Sequence, residues 1–161
     1  MNRRVQVRNF KIWKVVDKQT GEEIRKDPGR IFEELCKSKK YAEIASLMVR
    51  SGSIDPNESV SSWGGWSPLH FTAYYGRLDV AQALVEAGAD IDKSTDNGVT
   101  PLIVASQGGH VEMARLLIEV RADIDKAADD GCTPLYLASQ QRHVEVVRAL
   151  LERGADIDKA M

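Results

Sequence analysis

Three short motifs recur along the last two-thirds of the chain at one common interval of 33 residues. They are a turn glycine, a Ser/Thr-Pro-Leu sequence two residues later, and an Ala-Asp-Ile-Asp sequence that closes the unit. Self-similarity at this spacing is typical of stacked repeat arrays, in which one unit is too small to bury its apolar face alone. The motifs begin at Gly65, Gly98 and Gly131, at Ser67, Thr100 and Thr133, and at Ala89, Ala122 and Ala155.

Each unit has the signals of two short helices. A Ser or Thr directly before proline can cap a helix N-terminus, and proline suits the first helical turn. Gly76 and Gly109 then favour a reversal of the chain, because glycine adopts a positive φ at little cost. The predicted first helices lie at about 68–75, 101–108 and 134–141, and the second helices begin near Leu78, Val111 and Val144.

Two turns and one corner depart from the repeated pattern. Arg142 stands where two units have glycine, and Arg121 stands where Gly88 and Gly154 close the other second helices. A non-glycine residue in left-handed geometry costs about 1–2 kcal/mol, so we expect these turns to be softer or slightly reshaped. The histidine at His70 is replaced by Ile103 and Tyr136 in the next units, which predicts that its side-chain network is lost there.

These motifs strongly resemble the ankyrin repeat pattern of turn glycine, Thr-Pro-Leu-His, paired small residues, Gly-His and Gly-Ala-Asp. The resemblance implies an all-α, ankyrin-type helix-turn-helix solenoid over residues 28–161. A degenerate N-terminal capping repeat is expected at about 30–57, where residues 43–52 echo the second helix and 32–37 would form the first. The three full repeats are expected at 61–93, 94–126 and 127–160.

Residues 1–27 do not fit the repeat. Their valines, isoleucines and a Thr-Gly turn at residues 20–21 predict a short β-hairpin. Residues 1–26 carry eight basic and three acidic side chains, a net charge of +5. The segment is interpreted either as an appendage that packs its apolar side chains on the first helices, or as a basic segment that docks an acidic partner.

Composition excludes several other classes of protein. The chain has 161 residues and a net charge of −2, so no strong overall field attracts nucleic acid or a membrane. No apolar stretch reaches the roughly 18 residues of a membrane span. Cys36 and Cys132 are too far apart for a zinc knuckle and too few for a disulfide framework. These features predict a reduced, intracellular protein, cytoplasmic or nuclear.

No catalytic or cofactor signature is present in the sequence. His110-Val111-Glu112 and His143-Val144-Glu145 superficially match the H-x-E of zinc deaminases, but no P-C-x-x-C follows. The phosphate-binding and dinucleotide-binding glycine motifs are missing as well. We therefore predict no enzyme, no catalytic or metal residues, no cofactor and no small-molecule substrate.

The ankyrin resemblance implies that a protein partner is bound on a concave face, by the turn tips and the ends of the first helices. Two tryptophans and two tyrosines fall on this surface in one repeat, which favours aromatic anchors. Alternatively, these rings fold back on the loop at 55–62 or on the N-terminal hairpin. The predicted binding residues are Trp63, Trp66, Tyr74, Tyr75, Asp96, Asn97, Val99, Gln107, Asp129, Asp130, Gln140 and Gln141.

The sequence thus predicts a protein-binding module that acts as an adaptor, targeting or inhibitory scaffold. One alternative is self-association through the last repeat, because the chain stops at Met161 in full register without a polar terminal unit. That ending is interpreted either as truncation or as a surface covered by a partner or a second copy. A further alternative is that the basic N-terminal segment tethers the chain to an acidic partner or nucleic acid.

Overall fold

The computed structural model describes residues 14–16, 23–25, 28–37, 42–60 and 63–159. Two short strands come first, and helix pairs then follow one another along the chain. The elements are β1 (Lys14–Val16), β2 (Glu23–Arg25), α1 (Pro28–Lys37), α2 (Ala42–Arg50), α3 (Pro68–Tyr75), α4 (Leu78–Glu86), α5 (Pro101–Gln107), α6 (Val111–Glu119), α7 (Pro134–Gln140) and α8 (Val144–Glu152), with a short 3-10 helix at Ile157–Lys159.

The helices form two layers. The first helices of successive pairs stack in the order α1, α3, α5 and α7, and the second helices stack as α2, α4, α6 and α8. The core runs between the layers and contains fully buried side chains from every pair, such as Phe32, Leu69, Leu102 and Leu150. The helix-pair architecture predicted from the 33-residue period is therefore confirmed, and each pair buries its apolar face on its neighbours.

The predicted hairpin is present between β1 and β2. The two strands pair antiparallel, with Lys14 opposite Arg25 and Val16 opposite Glu23. The remaining residues of the basic segment 1–27 lie outside the described residues. Whether this segment docks an acidic partner therefore stays a prediction.

The helix starts follow the capping chemistry that the sequence predicts. The hydroxyl of Thr100 accepts the backbone N–H of Ile103, and the hydroxyl of Thr133 accepts that of Tyr136. Each bond satisfies one of the N–H groups that a helix start leaves unpaired. In the first full repeat, the Ser67 hydroxyl instead pairs with Nδ1 of His70, 2.8 Å away.

One side chain per repeat ties its second helix to the preceding repeat. Nε2–H of His110 donates to the carbonyl of Tyr74 at 2.8 Å, and Nε2–H of His143 donates to that of Gln107 at 3.0 Å. Arg77 occupies the equivalent position and donates to the carbonyl oxygens at the end of α1. These bonds satisfy carbonyls that the ends of the first helices leave free, so the histidines have a structural role.

The loops between repeats are joined by a second series of bonds. The carboxylate of Asp92 accepts the backbone N–H of Asp123 at 3.0 Å, and that of Asp125 accepts the N–H of Asp156 at 2.9 Å. In the same way, the side-chain amide oxygen of Asn57 accepts the backbone N–H of Asp90 at 2.7 Å. The repeated aspartates at 92 and 125 therefore fix the spacing of neighbouring repeats.

Both arginines in glycine positions adopt left-handed geometry, with φ of 69° at Arg121 and 60° at Arg142. The turn at Arg121 keeps the same backbone bonds as the turn at Gly88, with N–H to O distances of 2.9–3.0 Å in both. This turn is therefore not reshaped, contrary to the alternative raised by the sequence. The strain is borne by the arginine backbone itself.

Replacing Arg121 with glycine is expected to raise the free energy of unfolding by about 1 kcal/mol. Glycine removes the left-handed strain of about 1–2 kcal/mol and adds a smaller entropic cost in the unfolded chain. Urea denaturation followed by circular dichroism measures the change. The reverse substitution, Gly88→Arg, is the control and is expected to destabilise by a similar amount. A midpoint that falls for Arg121→Gly would contradict the strain argument.

Candidate functional site

A groove opens between the first and second full repeats, at the side of the array formed by the turn tips and the first helices. Its volume is about 330 Å³, which is in the size range of ligand pockets. The glycine-rich turn before α3 forms one wall, and the next turn and α5 form the other. The lining residues are Trp63, Gly64, Trp66, Tyr74, Thr95, Asn97, Val99, Val104 and Gln107.

Three aromatic rings form the wall on the side of the first repeat. The ring centroids of Trp63 and Trp66 lie 6.2 Å apart, and those of Trp66 and Tyr74 lie 5.8 Å apart. Both tryptophans also contact the ring of buried Phe71, at 5.7 and 5.1 Å. Trp63 nevertheless keeps 41% of its surface exposed and Tyr74 keeps 55%. The rings are thus held by packing yet remain open to a partner.

The opposite wall combines the apolar side chains of Val99 and Val104 with the polar ones of Thr95, Asn97 and Gln107. The side chains of Asn97 and Gln107 make no hydrogen bond to another described residue, so their amide groups are available to a ligand. Asp96 lies between two lining residues, is exposed, and donates its backbone N–H to the carbonyl of Gly64 at 2.9 Å. One bond thus holds the two walls together at the turn tips.

Tyr75 points away from this groove, although it is the direct neighbour of Tyr74. Its hydroxyl donates to Oε1 of Glu33 on α1 at 3.1 Å, and Glu33 pairs with Lys37 at 2.9 Å. Burial, followed by the bond to Glu33, raises the pKa of Tyr75 to about 12. In this structure Tyr75 joins the helix pair α1 and α2 to the repeat that follows it.

Two family models match this chain. The model described as ankyrin repeats in three copies matches residues 89–161, and the single ankyrin repeat model matches residues 64–96. The two matches together span residues 64–161, which is more than half of the chain. The chain belongs to the ankyrin repeat family. A search of curated proteins found no match to it. Ankyrin repeats are generally protein–protein interaction modules and are typically non-catalytic.

The ankyrin array brings together half of the twelve binding residues predicted from sequence. Six of them line the groove, namely Trp63, Trp66, Tyr74, Asn97, Val99 and Gln107. The others lie beside it or further along the array: Asp96 at the groove edge, Tyr75 against α1, and the exposed Asp129, Asp130, Gln140 and Gln141 on the third full repeat.

Sequence reasoning missed Gly64, Thr95 and Val104 as lining residues. Val104 lines the groove and stands where the preceding repeat has the larger Phe71. The buried Thr95 holds the turn, because its hydroxyl accepts the backbone N–H of Val99 at 3.1 Å. A comparison of residue volumes at equivalent repeat positions could have identified Val104.

The pKa of each cysteine thiol is raised above its ordinary value. The thiol of Cys36 is buried, which raises its pKa to about 12. The pKa of Cys132 is also raised, first by partial desolvation and then by its bond to Asp130.

The described residues contain no group of three His, Cys, Asp or Glu side chains that could hold a metal ion. Among those same residues, no helix is long and apolar enough to cross a membrane.

Proposed function

We propose that this ankyrin array is a scaffold that binds one partner protein in the groove between its first and second full repeats. The observation that carries the proposal is the pair of exposed rings, Trp63 and Tyr74, held at the groove mouth by packing on their neighbours. Large aromatic side chains bury much area at little entropic cost and are enriched at binding hot spots. The array itself supplies the rigid support, as an adaptor, targeting or inhibitory module requires.

The position of these rings distinguishes them from core residues. Both tryptophans pack on Phe71, but Trp66 is the more buried of the two, and the hydroxyl of Tyr75 bonds to Glu33. Replacing Trp66 or Tyr75 would therefore destabilise the fold as well as alter the binding surface. Trp63 and Tyr74 are the more exposed members of the cluster, so their removal tests binding with less effect on stability.

The double variant Trp63→Ala, Tyr74→Ala is expected to lose its partner while remaining folded. Immobilised wild type and variant are incubated with lysate of the source cells, and retained proteins are identified by mass spectrometry. Each purified partner is then titrated against both forms, with a loss of affinity of tenfold or more expected. Circular dichroism first confirms that the variant has the wild-type helix content.

A matched control removes two exposed apolar side chains from the last repeat. Val144 and Leu151 on α8 are 62% and 42% exposed, and the control variant is Val144→Ser, Leu151→Ser. Partners retained by the control and lost by the groove variant support the proposal. Loss only in the control, together with a fall in the mass of the purified chain, would favour self-association through the last repeat. Equal retention of the same partners by wild type, the Trp63→Ala, Tyr74→Ala variant and the control would contradict a groove site.

A further inference from the structure

We propose that the partner presents an arginine-containing basic segment, with one guanidinium seated against the rings of Trp63, Trp66 and Tyr74. This inference rests on the proposed function, since it names the chemistry of the partner at the same groove. Three observations carry it: the charge of the surrounding strip, the arrangement of the rings, and the hydrogen-bond acceptors that the groove leaves unused.

The turn tips and first helices that form the groove carry acidic and no basic side chains. We define the inner strip as the turn tips and first helices of the three full repeats, residues 63–75, 94–108 and 127–141. It contains three aspartates and no lysine or arginine, although the whole chain has 22 basic residues. The aspartates are Asp96, Asp129 and Asp130, and all three are exposed. Charge complementarity therefore selects a basic partner segment and disfavours nucleic acid.

Four basic residues border the strip: Arg77, which bonds to the carbonyls at the end of α1, Lys93, whose charge acts on the His70 ring, Lys126 and Arg142. Lys126 donates its Nζ to the carbonyl of Asp92 at 2.8 Å, on the loop side of the array. Arg142 follows the strip in the third full repeat, at the end away from the aromatic rings. The aspartate that lies nearest the rings, Asp96, makes no ion pair with another described residue.

The acidic side chains follow the groove in register. The backbone N–H of Asp96 bonds to the carbonyl of Gly64, and that of Asp129 bonds to the carbonyl of Asn97 at 3.0 Å. Gly64 and Asn97 both line the groove, and the carboxylates of Asp96 and Asp129 lie against the turn glycines Gly65 and Gly98, beside the groove at intervals of one repeat. An extended basic segment can therefore place one side chain in the groove and another on the next turn tip.

The three rings suit a guanidinium. Cations are attracted to the faces of aromatic rings, tryptophan most strongly, and arginine is the usual protein cation in such contacts. The rings are mutually tilted by 50° for Trp63 and Trp66 and by 66° for Trp66 and Tyr74, so they enclose the groove from different directions. The free amides of Asn97 and Gln107 add acceptor oxygens, which match the five N–H donors of arginine.

Three nine-residue peptides of glycine alternating with a test residue provide the experiment. The test residue is arginine, lysine or citrulline, the neutral isostere of arginine. Fluorescence anisotropy of labelled peptides gives each affinity for the full chain. We expect the arginine peptide to bind about tenfold tighter than the citrulline peptide and severalfold tighter than the lysine peptide. Equal binding of the arginine and citrulline peptides, or of the arginine and lysine peptides, would overturn the proposal.

Two charge-neutralising variants locate the effect. Asp96→Asn, Asp129→Asn is expected to weaken binding of the arginine peptide by about fivefold to tenfold and to reduce its salt dependence. Glu112→Gln, Glu145→Gln removes the same charge from the second helices and is expected to leave the affinity unchanged. Equal losses in the two variants would indicate general attraction to an acidic protein and would overturn the assignment.

The failure of this inference is distinct from the failure of the groove as a binding site. A cellular partner that depends on Trp63 and Tyr74 while the arginine peptide does not bind overturns the basic-segment assignment alone. Tight binding of the arginine peptide that is lost in Trp63→Ala, Tyr74→Ala supports both. Arginine-peptide binding that persists in this variant overturns the seating of the guanidinium on the rings.

Discussion

Replacing Gly109 with alanine is expected to lower the free energy of unfolding by about 2–3 kcal/mol. Gly109 has a φ of 69°, which an alanine adopts at a cost of about 1–2 kcal/mol. An added Cβ would also lie only 2.5 Å from Nδ1 of His143. The ring must therefore move, which breaks its bond to the carbonyl of Gln107 and adds about 1 kcal/mol or more.

The chain contains a matched control for the Gly109 prediction. Gly154 has a φ of 88°, but an added Cβ there meets no atom within 4 Å. Gly154→Ala is therefore expected to cost only the backbone strain, about 1–2 kcal/mol. Urea denaturation of both variants, followed by circular dichroism, separates the two contributions. Equal costs for Gly109→Ala and Gly154→Ala would mean that the histidine contact contributes nothing.

The second large effect expected is a loss of stability in acid that depends on His70. This side chain is fully buried, and its ring is paired on both sides in the neutral form. Nε2–H donates to the carbonyl of Val99 at 3.0 Å, and Nδ1 accepts the backbone N–H of Ser67 at 3.1 Å. Burial, with a smaller contribution from the charge of Lys93, lowers the pKa of His70 from 6.5 to about 4.

The direction of the pH effect follows from this lowered pKa. Below pH 6.5 the unfolded chain binds a proton at His70 that the folded chain does not bind until about pH 4. The contribution of His70 to the free energy of unfolding is therefore complete above pH 6.5. It decreases as the pH falls toward 4 and changes no further below that value. The total loss approaches about 3 kcal/mol.

The variant His70→Ile isolates this contribution, because Ile103 occupies the same position in the next repeat. The variant is expected to be less stable at pH 7, since Ser67 and Val99 lose their partner. Its stability should nevertheless fall less steeply than that of the wild type between pH 7 and pH 4. Denaturant titrations at intervals of half a pH unit measure both slopes. Parallel curves for wild type and variant would show that His70 does not set the acid sensitivity.

The fold could be predicted from sequence because each repeated position meets one local physical demand. Thr100 and Thr133 supply caps, and Gly76 and Gly109 supply left-handed turns. The contacts between repeats were less predictable. Arg77 takes the position that histidine holds in the next two repeats, and its bonds go to the end of α1, which lies before the repeated motifs.

The candidate site could be predicted only in part. The repeat register gives the positions of Tyr74 and Tyr75 but not the direction of each ring. Neighbours in a helix point about 100° apart, and the direction of Tyr75 depends on Glu33, a residue without a counterpart in the repeated motifs. Val104 lines the groove at the position equivalent to the larger Phe71, and pattern matching ignores such a difference in side-chain volume. Use of the groove by a partner stays a prediction.

The loop bonds of Asp92 and Asp125 have a consequence for how this array can change length in evolution. Each carboxylate reaches the backbone of the next repeat, and each such pair is 31 residues apart in sequence. Duplication or deletion of one whole 33-residue unit leaves every surviving loop with its donor and its acceptor. An insertion of another length that displaces one of these loops from the next repeat breaks its bond. Selection for intact loop bonds therefore favours growth of the array by complete units.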